Sequence, residues 1–263
     1  MSFSHLTLVI LAAALGGAMN SIAGGGTLVT FPAIVWLGVP PIIANATSAV
    51  GLWPAAAGSI WGYRRLFAGG RFWVLHFTLP SLAGGGAGAW LLLHTPAARF
   101  AKIVPFLVLG ATTLFIVQQP LMRLLSRRGV GTETHAEGGW PSPTIPLSLL
   151  YPLQFAIGIY GGYFGAGNGI LMLAVMGLIG LTSIHRMNGL KNWAGLCMNA
   201  VAATSFAIGG LVDWPVAFAM AAGALVGGYG GARVAQRVGQ APVRRTVVLI
   251  GLVSFVWLLL RRG

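Results

Sequence analysis

Ten apolar runs, separated by short turns that hold most of the charge, leave this chain few folds to choose from. They cover residues 5–23, 27–38, 41–62, 71–93 and 102–122, then, beyond a polar stretch, 147–166, 168–181, 185–210, 213–236 and 241–260. A helix needs about 20 mainly apolar residues to cross a bilayer, and most of these runs reach that length. With 7% charged residues in 263, the sequence cannot clothe a soluble surface of this size. The expectation is an all-α polytopic membrane protein of about 8–10 membrane segments.

The net charge of +13 would suggest nucleic acid in a soluble protein. Here the bases sit in short turns between apolar runs, as the positive-inside rule requires, and no basic stripe with interleaved aromatics exists, so nucleic acid is not an expected partner. The acids number three, Glu133, Glu137 and Asp213, and none lies inside an apolar run. No metalloprotease motif and no Ser-His pairing at motif spacing occurs. The chain is therefore not expected to be an enzyme, and no catalytic residue, metal ligand or cofactor is assigned. Cys197, the single cysteine, has no partner for a disulfide or metal site and reads as a small buried residue. The first run lacks a basic start and leads into Asn20 and glycines, unlike a cleaved signal peptide.

The two sets of five runs align at a constant offset of 143 residues. Gly24-Gly25-Gly26 falls on Gly167-Asn168-Gly169, Leu28 on Leu171, and Asn45 on Asn188. The glycine cluster 84–88 falls on 227–231, and Lys102 on Arg245. Residues 1–122 and 147–263 are thus read as two repeats, with 123–146 as an exposed linker rich in Gly, Pro and charge. Charge orients them. Arg64, Arg65 and Arg71 follow the third run, whereas the matching turn at 207–214 has no base and carries Asp213; Arg233, Arg237, Arg244 and Arg245 outweigh Arg99 and Lys102. Bases collect on the cytoplasmic side, so equivalent turns face opposite sides. That is an inverted-topology repeat, with the linker in the cytoplasm and both termini outside. Arg261 and Arg262 pull weakly against the last placement.

The runs 27–38 and 168–181 are too short to span as helices. Glycine dominates just before each, so a broken or re-entrant segment is expected in each half. Backbone freed at depth survives only inside protein or beside water. Matching breaks in two halves point to a transporter's site, where half-helix N-termini favour an anion.

At these residues the chain resembles the TauE/SafE family of sulfite-exporter-like transporters. The first-half motif is Gly24-Gly25-Gly26-Thr27-Leu28, then Pro32, Gly38-Val39-Pro40 and Asn45-Ala46-Thr47-Ser48; the second runs from Gly161 to Ile170. The resemblance implies export of sulfite, organosulfonates or related oxyanions across a bacterial cytoplasmic membrane. A passive channel for small anions would use the same dipoles and donors.

Candidate substrate-binding residues follow from the breaks. Gly24, Gly25, Gly26, Gly167 and Gly169 either line the path with backbone or allow close helix packing. Asn45 and Asn188 hold equivalent places beside the broken segments; interhelical hydrogen bonding is the alternative. Lys191 shares a helix face with Asn188 and either meets the anion or snorkels to the interface near Arg186. Asn20, Asn168, Asn192, Thr47 and Ser48 can supply neutral donors or serve structure. The expected partners are a small anionic substrate and the lipid bilayer.

Overall fold

The computed structural model describes residues 3–22, 24–63, 69–127, 140, 145–181, 183–238 and 240–260. Arg64, Arg65 and the linker residues Glu133, His135 and Glu137 lie outside these, as do the side chains of Arg233, Arg237 and Arg244. The described residues form ten helices and no strand. They are α1 (Phe3–Ile22), α2 (Thr27–Trp36), α3 (Pro41–Tyr63), α4 (Arg71–Leu93), α5 (Ala97–Arg127), α6 (Leu147–Tyr163), α7 (Asn168–Leu178), α8 (Ile184–Ile208), α9 (Trp214–Val238) and α10 (Gln240–Leu260).

Nine of these helices start and stop within a few residues of an apolar run. The exception is α5, which begins before the run at 102 and continues past 122 to Arg127. Polar residues such as Arg99 and Lys102 extend the helix beyond its apolar centre, so residues 123–127, read as linker, are helical. The stretch Ala97–Val117, with a mean hydropathy of 2.1, is the one among the described residues long and apolar enough to cross a membrane on both counts together. The other helices mix apolar residues with glycine and amides. Apolar side chains also cover the outside: Leu79 is 71% exposed, Phe218 68%, and Ile208 84%. Water would not tolerate so continuous an apolar exterior, whereas lipid does.

The short helices end by one device. After α2, Gly38 takes φ +92° and Val39 N–H donates back to Ile34 O; after α7, Gly180 takes φ +86° and Leu181 N–H donates to Met176 O. This closing turn satisfies the last carbonyls and uses glycine where a Cβ would be strained.

Helix pairings match across the two sets. α1 packs on α9 as α6 packs on α4, α3 on α9 as α8 on α4, and α2 on α10 as α7 on α5; α3 also packs on α8, and α5 on α10. Glycine allows the closest of these approaches. A Cβ at Gly84 would run into Phe155 O, one at Gly88 into Ile159 O, and one at Gly162 into Gly85 O. On the other pair, a Cβ at Gly223 would run into Ile10 O, and one at Gly227 into Ala14 O. The order of these contacts makes α4 parallel to α6 and α1 parallel to α9. Such small-residue seams bring backbones together where lipid gives no hydrophobic drive to associate.

α3 and α8 run antiparallel. Asp213 N–H, beyond the end of α8, donates to Thr47 Oγ1 near the start of α3 at 3.0 Å, while Trp53 Nε1–H donates to Leu196 O midway along. At the opposite end, the Arg186 guanidinium lies 5.6 Å from the ring centre of Trp140, which also packs against Gly70. The turn before α4, the linker's Trp140 and the start of α8 therefore share one end of the bundle.

Candidate functional site

The two helix breaks meet. Gly24 (φ +80°) lies between α1 and α2, and Gly167 (φ +78°) caps the start of α7; both need the left-handed backbone that glycine alone adopts freely. A Cβ on Gly24 would stand 3.2 Å from Gly169 Cα, so the breaks touch at this point. Gly25 and Gly26 are packed rather than open. A Cβ on Gly25 would strike the Phe115 ring, and one on Gly26 the carbonyl of Gly16. Gly167 likewise faces Ala111.

Beside the breaks is a polar chamber of about 40 Å³, room for a few waters. Asn20 and Thr27 reach it from the first break, Asn45, Ala49 and Trp53 from α3, Gly161, Gly165 and Asn168 from the second break, and Asn199 from α8. Of the residues singled out by sequence, Asn45 and Asn168 line it, as does Asn20. Asn45 Nδ2 donates to Tyr163 O at 2.9 Å, while its Oδ1 is buried without a partner. Asn168 Nδ2 reaches Met198 Sδ at 3.3 Å, a weak acceptor. Amides with capacity to spare surround a partly enclosed space. The arrangement can replace part of the hydration shell of a small polar solute.

Thr47 and Ser48 do not line this chamber. Both are fully buried; Thr47 Oγ1 accepts from Asp213 N–H, and Ser48 is hydrogen-bonded to Thr30, which also donates to Gly26 O at 3.2 Å. Gly24–Gly26, Gly167 and Gly169 also lie outside its lining.

A second polar group sits on α8. Asn188, Lys191 and Asn192 occupy one helix face and are 6%, 3% and 8% exposed. Asn188 Oδ1, Lys191 Nζ and Asn192 Nδ2 are all buried without a hydrogen-bond partner. Lys191 therefore does not snorkel to the surface. Three orphaned polar groups in a row are costly, at about 1–3 kcal/mol each and more for a charged one. None of the three lines the chamber.

The family model described as sulfite exporter TauE/SafE aligns with residues 9–258. The chain belongs to the TauE/SafE family. Three similar proteins are called probable membrane transporters. That of Haemophilus influenzae is 29% identical over 244 residues, covering 88% of this chain and 86% of its own. ORF9 of Sinorhizobium is 28% identical, covering 98% and 94%, and YfcA of Escherichia coli K12 is 28% identical, covering 97% and 89%. The TauE/SafE match spans both breaks and the whole chamber.

Sequence reasoning did not single out Trp53 or Asn199 among the chamber residues of this TauE/SafE chain. Asn199 carried one available signal, an amide in an otherwise apolar run. Trp53 was passed over because tryptophan in a membrane helix is ordinarily read as part of the interfacial belt.

Proposed function

We propose that this chain is a secondary transporter that exports a small sulfur-containing oxyanion, sulfite or an organosulfonate, across the bacterial cytoplasmic membrane by alternating access. The observation that carries the reading is the chamber at the meeting point of two glycine-broken helices in a chain of the sulfite exporter family. Its amides can bind an oxyanion without holding it so tightly that it cannot leave. No carboxylate faces the chamber to repel it. The buried base Lys191 stands on the neighbouring helix.

In this reading residues 1–122 and 147–263 are inverted repeats crossing the membrane several times, with the linker 123–146 in the cytoplasm and both termini outside. The exchange-symmetric packing, and the antiparallel course of α3 and α8, which align at the offset of 143, support it. So does the grouping of Gly70, Trp140 and Arg186 at one end of the bundle, away from Asp213. A constricted chamber with one polar face walled off fits a carrier better than a passive channel, which needs a continuous path.

The test is flux. Purified protein in liposomes is loaded with sulfite, sulfate, a short organosulfonate or a carboxylate, and release is followed with time. Saturable sulfite or sulfonate release above that of empty liposomes is expected. Equal release of every anion without saturation would point to a channel, and no release of any would overturn the assignment.

A further inference from the structure

The chamber draws mainly on one half of a duplicated set of residues. Its α3 wall is Asn45, Ala49, Leu52, Trp53 and Ala56. At the offset of 143 these positions correspond to Asn188, Asn192, Gly195, Leu196 and Asn199 on α8. Of the α8 set only Asn199 also lines the chamber. Asn188 and Asn192 are sealed away from the chamber with polar atoms unpartnered, and Lys191 is sealed beside them.

Lys191 corresponds to Ser48. Ser48 is bonded to Thr30, so the α3 face is satisfied where it packs on α2. The position equivalent to Thr30 is Leu173, which offers Lys191 no acceptor. A buried ammonium whose duplicate is a satisfied hydroxyl is not needed to hold the helices together. Its cost is offset only if something else binds it part of the time.

We propose that Asn188, Lys191 and Asn192 form a second oxyanion station, closed in this conformation, which opens to the cytoplasmic face when the two halves exchange conformations. This rests on the exporter reading above and adds a division of labour within the path. The α3 chamber binds the anion with neutral amides. The α8 station binds it with an ammonium flanked by two amides, and so more tightly. An anion is thus captured at low concentration from inside and released from a weaker site outside. Asn188 lies two residues after Arg186 near the start of α8, the end at which the Arg186 guanidinium meets Trp140, and this puts the station toward that end of the bundle.

The experiment is sided cysteine labelling in a Cys197→Ala background, which removes the native thiol. Asn192→Cys and its duplicate Ala49→Cys are made separately. They are treated in oriented membranes with a membrane-impermeant thiol reagent from one side at a time. Asn192→Cys should label from the cytoplasmic side and Ala49→Cys from the outside. Sulfite should protect Asn192→Cys, and adding Lys191→Met should raise the half-protecting sulfite concentration at least about tenfold. Asn188→Cys serves the same purpose if Asn192→Cys does not fold.

Failure of Asn192→Cys and of Asn188→Cys to label from the cytoplasm, with sulfite release intact, overturns the station and leaves the exporter. Labelling without sulfite protection overturns its role as an oxyanion site. If instead the unmodified protein releases no anion while Asn192→Cys still labels from inside, the exporter reading fails and the opening survives.

Discussion

Trp53 donates its indole N–H to the carbonyl of Leu196 over 3.3 Å, and the two residues are 143 positions apart. That spacing is the offset at which the two halves of the sequence align. If the halves are repeats, as proposed, these are equivalent positions, which touch only where the halves cross. The contact therefore marks the junction of α3 and α8, beside the chamber that Trp53 also lines. Replacing Trp53 with Phe keeps a ring in place but removes the donor, and should cost about 0.5–1.5 kcal/mol. Trp53→Ala should also change the rate of sulfite release. Equal thermal stability of Trp53→Phe and the native protein in detergent would show that the bond contributes nothing.

Asn45→Ala should slow transport. It removes an amide from the chamber and leaves Tyr163 O without its donor, a loss of about 1–3 kcal/mol if that carbonyl stays dry. Asn45→Asp keeps the size but places a negative charge where the anion passes, so it should be the more damaging of the two for flux. Sulfite release by each variant, normalised to folded protein, checks both. Normal release from Asn45→Asp would remove the chamber from the path.

Lys191→Met should separate stability from function. The thioether fills similar space and needs no partner, so folding should gain about 0.5–2 kcal/mol. Sulfite affinity should fall about ten- to a hundredfold, the scale of a hydrogen bond to a charged group. Thermal unfolding and substrate titration on the same preparation give both values. A variant that is both less stable and fully active would mean that the ammonium has a structural partner.

The glycine seams give a prediction without reference to transport. Gly227→Ala puts a methyl group into the Ala14 carbonyl and should destabilise by about 1–3 kcal/mol. Gly110→Ala, in α5, meets nothing within 4 Å and replaces a poor helix former, so it should be neutral or slightly stabilising. Unfolding temperatures in one detergent would rank them. The reverse order would falsify the packing of α1 against α9.

Much of this was legible beforehand because a membrane is a simple solvent. Every backbone polar group must be paired within the segment, so apolar runs become helices and turns take the charge. Nine helices begin and end close to runs visible in the sequence; α5 runs longer, since Arg99 and Lys102 can extend a helix that hydropathy alone would trim. The breaks at Gly24 and Gly167 were visible as glycines before a short apolar run, and the offset of 143 put Asn45 opposite Asn188.

What the sequence by itself determined was therefore the one-dimensional order: which segments are helical, where two of them break, and which positions align at the offset of 143. The tertiary structure decided which polar groups share a space. These helices are apolar on nearly every side, so periodicity does not reveal which face meets which neighbour. Trp53 and Asn199 enter the chamber only because α3 and α8 cross there. Thr47 and Ser48 lie on α3 between the wall residues Asn45 and Ala49, yet their hydroxyls are occupied by Asp213 N–H and Thr30. Lys191, with the same apparent access in the sequence, is sealed and unpaired. A hydrogen bond depends on the position of a second group from elsewhere in the chain, and packing alone sets that position.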